Sequence, residues 1–214
     1  MAKTQRNGHR KPRTSQTRVP HMGYYCIITD TKETEINYIL GFKESLPEEY
    51  RDKIVIKVIK SETDNMVKRC KEEVAKMPQY GELWIVFDRD RVVRFDEIIK
   101  QAEKENIKVG WSNPCIETWF DAYLGAMQYC SDSVACCHKF GEKFERISGK
   151  EYKKSSKQIY EFLCRYGKEE DAIKIAKNKL QHYLNAGTTK PSEMCPCTTL
   201  YAFIEEIRRK TTNQ

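Results

Sequence analysis

The sequence predicts an α/β fold: a mainly parallel four-stranded sheet flanked by helices, followed by a helical C-terminal region. Three observations carry that prediction. Short apolar runs of strand length alternate with amphipathic helical stretches over about 100 residues, which implies parallel strands covered on both faces. The strand-length runs stop near residue 111, and only helical periodicity follows. The basic stretch ahead of the first strand has neither pattern. The boundaries read as 1–22 for a basic tail, 23–125 for the α/β domain and 126–214 for helices packed on it.

Each element has its own signal. Tyr24–Thr29 (YYCIIT) is a strand buried on both faces. A helix follows with Ile36, Ile39 and Leu40 on one face, ending before Pro47. Lys53–Ile59 is rich in β-branched residues and reads as a second strand. Thr63 is placed to cap a helix carrying Val67, Cys70 and Val74, which Pro78 and Gly81 stop. Leu83–Phe87 (LWIVF) is the third strand, and Phe95, Ile98, Ile99 and Ala102 mark the next helix. Ile107–Trp111 is the fourth strand, after which Pro114 suits the first turn of a helix reaching Leu124. Further helices are expected at 155–165 and at 169–184, the latter with Ile173, Ala176, Leu180 and Tyr183 on a stripe. Residues 187–199 read as a loop, and Thr198 or Thr199 caps a last helix bearing Leu200, Phe203, Ile204 and Ile207.

Charge and composition exclude several classes. The net charge is +7 from 38 basic and 31 acidic residues. Six of the basic residues (Lys3, Arg6, Arg10, Lys11, Arg13, Arg18) lie in the first 18 positions with no acid, so the remainder is almost neutral. No apolar run approaches the roughly 20 residues of a spanning helix, and none follows the basic start as a signal peptide requires. A cytoplasmic location is therefore expected. Nine cysteines in that setting are free thiols and small apolar groups rather than a disulfide scaffold. Cys136-Cys137-His138 and Cys195-Pro196-Cys197 lack the C-x2-C spacing of a structural zinc site, and pooling them needs two separate loops to converge. No P-loop, G-x-G-x-x-G or G-x-S-x-G occurs, which argues against ATP hydrolysis and serine hydrolase chemistry.

Acids gather where ligands bind in open parallel sheets, at the carboxyl ends of the strands. Asp30, Glu33 and Glu35 follow the first strand, Asp88 and Asp90 the third, and Glu117 the fourth. Asp88 and Asp90 are two apart, so on extended backbone they point the same way. Such carboxylates repel one another unless a cation intervenes, and Mg²⁺ (or Mn²⁺) is the hard ion that suits them. Two ions there would suit attack of water on a phosphodiester. Arg89 and Arg91 are placed to meet phosphate oxygens. Any one acid after a strand is an ordinary cap or solvated loop residue; the set at three strand ends is the signal. A phosphatase or phosphotransferase of the D-x-D-x-T type fits poorly, because Val92 stands where Thr is needed.

Four blocks carry a resemblance. They are Thr29-Asp30-Thr31-Lys32-Glu33-Thr34-Glu35-Ile36-Asn37-Tyr38, Val86-Phe87-Asp88-Arg89-Asp90, Ser112-Asn113-Pro114-Cys115-Ile116-Glu117-Thr118-Trp119-Phe120, and Pro191-Ser192-Glu193-Met194 with Thr198-Thr199-Leu200-Tyr201. In this order they resemble the RloB-like family, over nearly the whole chain. That resemblance implies a Toprim-like (Rossmannoid) domain, similar to primases, topoisomerases and overcoming-lysogenization-defect nucleases. It implies a role in bacterial antiphage defence, often beside a partner ATPase, as a Mg-dependent nuclease acting on RNA such as tRNA, or on DNA. The catalytic and metal-holding set so implied is Asp30, Glu35, Asp88, Asp90 and Glu117. Asp30-Thr31 stands where the family has Glu-Gly, which keeps open a weak or inactive Toprim-like module that binds nucleic acid or a partner ATPase. Self-association is also left open.

Nucleic acid is the expected partner, with RNA favoured. Arg6, Arg10, Lys11 and Arg13 of the tail are placed to neutralise phosphates. A second basic region, 139–157, carries seven basic against three acidic residues, including Lys150, Lys153 and Lys154. Phe140, Phe144 and Tyr152 are interleaved with them, either as core or as stacking platforms for bases.

Overall fold

The structure, a computed structural model, describes residues 23–30, 33–51, 54–79, 81–90 and 92–212. The tail with Arg6, Arg10, Lys11 and Arg13, and also Arg91, lies outside the described residues. Strand β1 (Gly23–Thr29) leads into α1 (Thr34–Ser45) and a single helical turn, α2 (Glu48–Arg51). Next come β2 (Ile54–Lys60), α3 (Met66–Lys76), β3 (Glu82–Asp88), α4 (Phe95–Lys104), β4 (Lys108–Asn113) and α5 (Glu117–Tyr123). The C-terminal part holds α6 (Ser133–Ser148), α7 (Ile159–Tyr166), α8 (Glu169–Asn185), β5 (Cys197–Thr198) and α9 (Tyr201–Thr212).

The sheet order is β2-β1-β3-β4-β5. The first four strands are parallel, as expected, and β5 pairs antiparallel with β4 through Ser112↔Thr198 and Asn113↔Cys197. The sheet therefore has five strands rather than four. A two-residue strand has no periodicity to detect, so 187–199 reads as loop in sequence although its end completes the sheet.

Alternation splits the core into two layers. Tyr25, Ile27, Trp84 and Val86 face one cluster with Tyr38, Phe42, Trp119, Phe120 and Phe203. Cys26, Ile28, Ile85 and Phe87 face the other, with Met66, Cys70, Phe95 and Ile98. The C-terminal helices share the first layer, through Phe140 and Phe144 of α6, Leu163 of α7, Ala172 and Ala176 of α8 and Ile204 of α9. A partly buried polar network ties these helices together. Glu169 accepts from Arg208 Nε at 2.6 Å, Tyr160 at 2.9 Å and Tyr123 at 3.2 Å, and the Tyr123 and Tyr38 hydroxyls share a bond of 2.8 Å.

Several local expectations need correction. The buried face of α1 is Thr34, Glu35, Tyr38, Ile39 and Phe42, whereas Leu40 is exposed. Gly41 lets α7 come close there, since a Cβ would sit 2.7 Å from Tyr160 Cβ. Thr63 opens a 3-10 turn, and α3 starts three residues later. Pro114 precedes α5 by three residues instead of opening it. Helix α6 shows in sequence only as part of a basic region, because its apolar contribution is a narrow strip of Cys136, Phe140 and Phe144. Among the described residues no helix is long and apolar enough to cross a membrane.

Candidate metal-binding acidic site

All four parallel strands deliver their carboxyl ends to one edge, and the acids arrive there by different routes. Thr29 is buried at the end of β1, and Asp30 follows it. Glu35 sits in the first turn of α1 and is 1% exposed. Asp88 ends β3, with its Oδ2 accepting the Ile116 N–H at 3.0 Å. Glu117 opens α5 and is fully buried. The Tyr152 hydroxyl donates to its Oε1 at 3.0 Å, and Lys154 Nζ lies 3.8 Å from the same oxygen.

These four carboxyls feel one another. Burial, then the charge of Asp30 and more weakly that of Glu117, pushes the Glu35 carboxyl up to about 8. Burial, then Glu35, Asp30 and Glu117, holds Asp88 well above the usual carboxylate range, opposed by the Ile116 N–H. Both oxygens of Glu35 and Oε2 of Glu117 are buried without a hydrogen-bond partner. A buried polar atom left unpaired costs about 1–3 kcal/mol, more when charged, so the arrangement lacks positive charge. Its donor chemistry, carboxylate oxygens alone, suits a hard divalent cation. The four carboxylates are spread too widely for any three to bring ligand atoms within 4.8 Å of one another. At most two of them could therefore ligate one ion directly, the rest of its shell being water.

Asp90 does not join them. Its φ of +23° turns the chain out of the strand, the residue is exposed, and its Oδ1 accepts from the Ser133 hydroxyl. Asp88 and Asp90 would point the same way only on extended backbone, which ends at Asp88. Glu33 is exposed. Arg89 is also committed: its guanidinium donates to the Val92 carbonyl at 2.8 Å and lies 5.8 Å from the centre of the Phe95 ring.

The segment after α6 supplies what the sequence did not show. Tyr152 packs edge-on to Phe140 at 4.8 Å, and Phe140 and Phe144 are core, so these aromatics do not present base-stacking faces. Lys154 turns to Glu117, while Lys150 and Lys153 are exposed beside it. Thr34 Oγ1 donates to the Lys154 carbonyl at 3.3 Å and Asn37 Nδ2 to the Ser155 carbonyl at 3.2 Å, seating the segment on α1. Glu117 and Tyr152 are 35 residues apart, and no local pattern links them.

The remaining motif residues are scaffold. Ser112 bonds Thr198 at 3.1 Å, and Asn113 Nδ2 donates to the carbonyls of Pro191 and Ser192 at 3.1 Å each. The third block is thereby fastened to the fourth, and the turn that presents Glu117 is held. A wide groove elsewhere runs from the amino ends of β3 and β4, lined by Trp84, Lys108, Lys177 and Glu206. Two of its lysines are paired, Lys108 with Glu82 and Glu206 and Lys177 with Glu205.

The cysteines are all free. His138 is exposed and faces Glu142 at 3.6 Å, and Cys197 belongs to the sheet core. Distant cysteines do converge, however: Cys115, Cys130 and Cys136 form a small buried cluster flanked by Cys137, and Cys195 Sγ reaches the Cys130 carbonyl at 3.5 Å.

A family model described as RloB-like protein matches residues 25–207. No curated protein and no solved structure gives a significant match to the chain.

Proposed function

The chain belongs to the RloB-like protein family, and from that premise we propose that it is a Mg²⁺-dependent phosphodiesterase of Toprim type, cutting RNA (tRNA among the candidates) or DNA as an antiphage effector. The observation that carries this reading is the meeting of Asp30, Glu35, Asp88 and Glu117 from three strand ends, with three buried carboxylate oxygens of Glu35 and Glu117 unpartnered. Of Asp30, Glu35, Asp88 and Glu117, one or two would ligate the ion directly and the others would hold its bound waters. A bound Mg²⁺ supplies Lewis-acid stabilisation of charge developing on a phosphodiester.

The chain's own residues prepare the site. The Ile116 N–H orients Asp88, and Tyr152 fixes Glu117 while leaving its other oxygen unpaired. In the metal-free protein at neutral pH, Glu35 retains a proton because burial and Asp30 disfavour its charge. Exposed Lys150 and Lys153, in the segment that carries Lys154, would meet backbone phosphates of a bound strand. The test is incubation of purified protein with tRNA, other RNA and DNA in Mg²⁺ or Mn²⁺. Cleavage is expected, with loss of about 10²-fold or more in Asp88→Asn, consistent with the penalty for misplaced catalytic groups. Cleavage surviving in both Asp88→Asn and Glu117→Gln refutes the assignment.

One observation favours a second reading, a binding module for nucleic acid or a partner ATPase. Asp90, the second acid of the D-x-D, points to Ser133 instead of the cluster. Under that reading nucleic acid binds without turnover, and Asp88→Asn leaves binding unchanged. Gain of cleavage in Asp30→Glu/Thr31→Gly would instead mark a weakened nuclease.

A further inference from the structure

A second donor group sits against the acidic cluster, and it differs in chemistry. The Cys115 and Cys137 thiols and one carboxylate oxygen of Glu117 lie within 4.8 Å of one another. They come from two elements: Cys115 and Glu117 from the turn between β4 and α5, and Cys137 from the first turns of α6. Each element is anchored independently. The Thr118 N–H donates to the Cys115 carbonyl at 3.0 Å, and Asp132 caps α6 by accepting the Ala135 N–H at 2.8 Å.

We propose that Cys115, Cys137 and Glu117 form a binding site for a zinc-class transition-metal ion, distinct from the hard-cation site and touching it at Glu117. In a tetrahedral zinc site with bonds of about 2.3 Å to sulfur and about 2.0 Å to oxygen, neighbouring ligand atoms are about 3.5–3.8 Å apart. The group thus needs to close by about 1.3 Å at most, within reach of side-chain rotation. Two thiols select a borderline-soft ion over Mg²⁺. Glu117 is fully buried and its Oε2 has no hydrogen-bond partner, although Lys154 Nζ stands 3.8 Å from its Oε1. Around the donors, Cys130 and Cys136 are buried, and the Cys136 thiol pairs with the Thr118 hydroxyl at 3.4 Å. Three protein ligands leave a fourth position for water or another donor. Neither cysteine cluster in the sequence discloses this site, because Cys115 and Cys137 are 22 positions apart and belong to different elements.

The site does not depend on nuclease activity, and its test reads metal directly. The full chain, reduced with a phosphine, is titrated with Co²⁺. The expected result is a thiolate-to-cobalt charge-transfer band saturating at a single equivalent, with tetrahedral visible bands that Zn²⁺ erases. Cys137→Ser, at a half-buried position, and Cys115→Ala are each expected to lose the band and to weaken Zn²⁺ binding at least about tenfold, the lower end of what even outer-sphere changes cost. Unchanged far-UV dichroism in Cys137→Ser separates loss of the ligand from loss of the fold. Asp88→Asn and Cys164→Ser are expected to keep the band. No charge-transfer band in the parent chain, survival of the band in both cysteine variants, or its loss in Asp88→Asn overturns the assignment.

Discussion

Glu35→Gln is expected to stabilise the metal-free protein, with a gain that depends on pH in a defined direction. In the fold the Glu35 carboxyl is held near 8 against an ordinary value of 4.5, first by burial and then by Asp30. A raised folded-state value means that the native chain keeps a proton the unfolded chain has released. Stability is therefore complete below about 4.5 and falls as pH rises from there toward about 8. At pH 7 about 2.5 pH units of this interval have been crossed. At roughly 1.4 kcal/mol per unit this is a penalty of about 3 kcal/mol, an upper figure because neighbouring carboxyls share the proton. Glutamine carries no charge at any pH and escapes that penalty. Urea denaturation in a chelator should show Glu35→Gln more stable than the parent by about 1–3 kcal/mol at pH 7. The difference should shrink toward zero near pH 4.5. Mg²⁺ should raise the midpoint of the parent more than that of the variant, since ligand binding adds stability as RT ln(1 + [L]/Kd). A variant no more stable than the parent at pH 7, or a gain that is just as large at pH 4, would refute the repulsion argument.

Other outcomes follow from individual contacts. Tyr152→Phe keeps the ring packing but removes the hydroxyl that serves Glu117, so it should cost about 1–3 kcal/mol by chemical denaturation, and reduce cleavage along with stability. Gly167→Ala places a Cβ 2.2 Å from the Tyr123 carbonyl oxygen, a backbone atom that cannot step aside. It should cost about 3 kcal/mol or more, seen as a lower urea midpoint with far-UV dichroism retained at zero denaturant. Lys150→Ala/Lys153→Ala should weaken RNA binding without changing sequence preference. Its logarithmic salt slope should fall by about 1–2, as for two lost phosphate contacts; an unchanged slope would take the segment out of the interface.

The local order of the chain was legible from its residues. Apolar runs such as Leu83–Phe87, buried at every position from Trp84 to Phe87, announce strands, and the stripe of Phe95, Ile98, Ile99 and Ala102 announces a helix that is buried at those four positions. Because alternating strands and helices force parallel pairing, the sequence alone also placed Asp30, Glu35, Asp88 and Glu117 at one edge of a sheet. What it did not determine rests on contacts between residues far apart in the chain. A single φ of +23° removes Asp90 from the cluster, and sequence spacing carries no dihedral angle. Tyr152 and Lys154 reach Glu117 only because Thr34 and Asn37 hold their segment against α1. Cys115 and Cys137 meet only because α6 packs across the turn that ends β4. Periodicity registers which face of an element is apolar; which side chains from separate elements meet, and which charges are left unpaired where they do, is decided by tertiary packing.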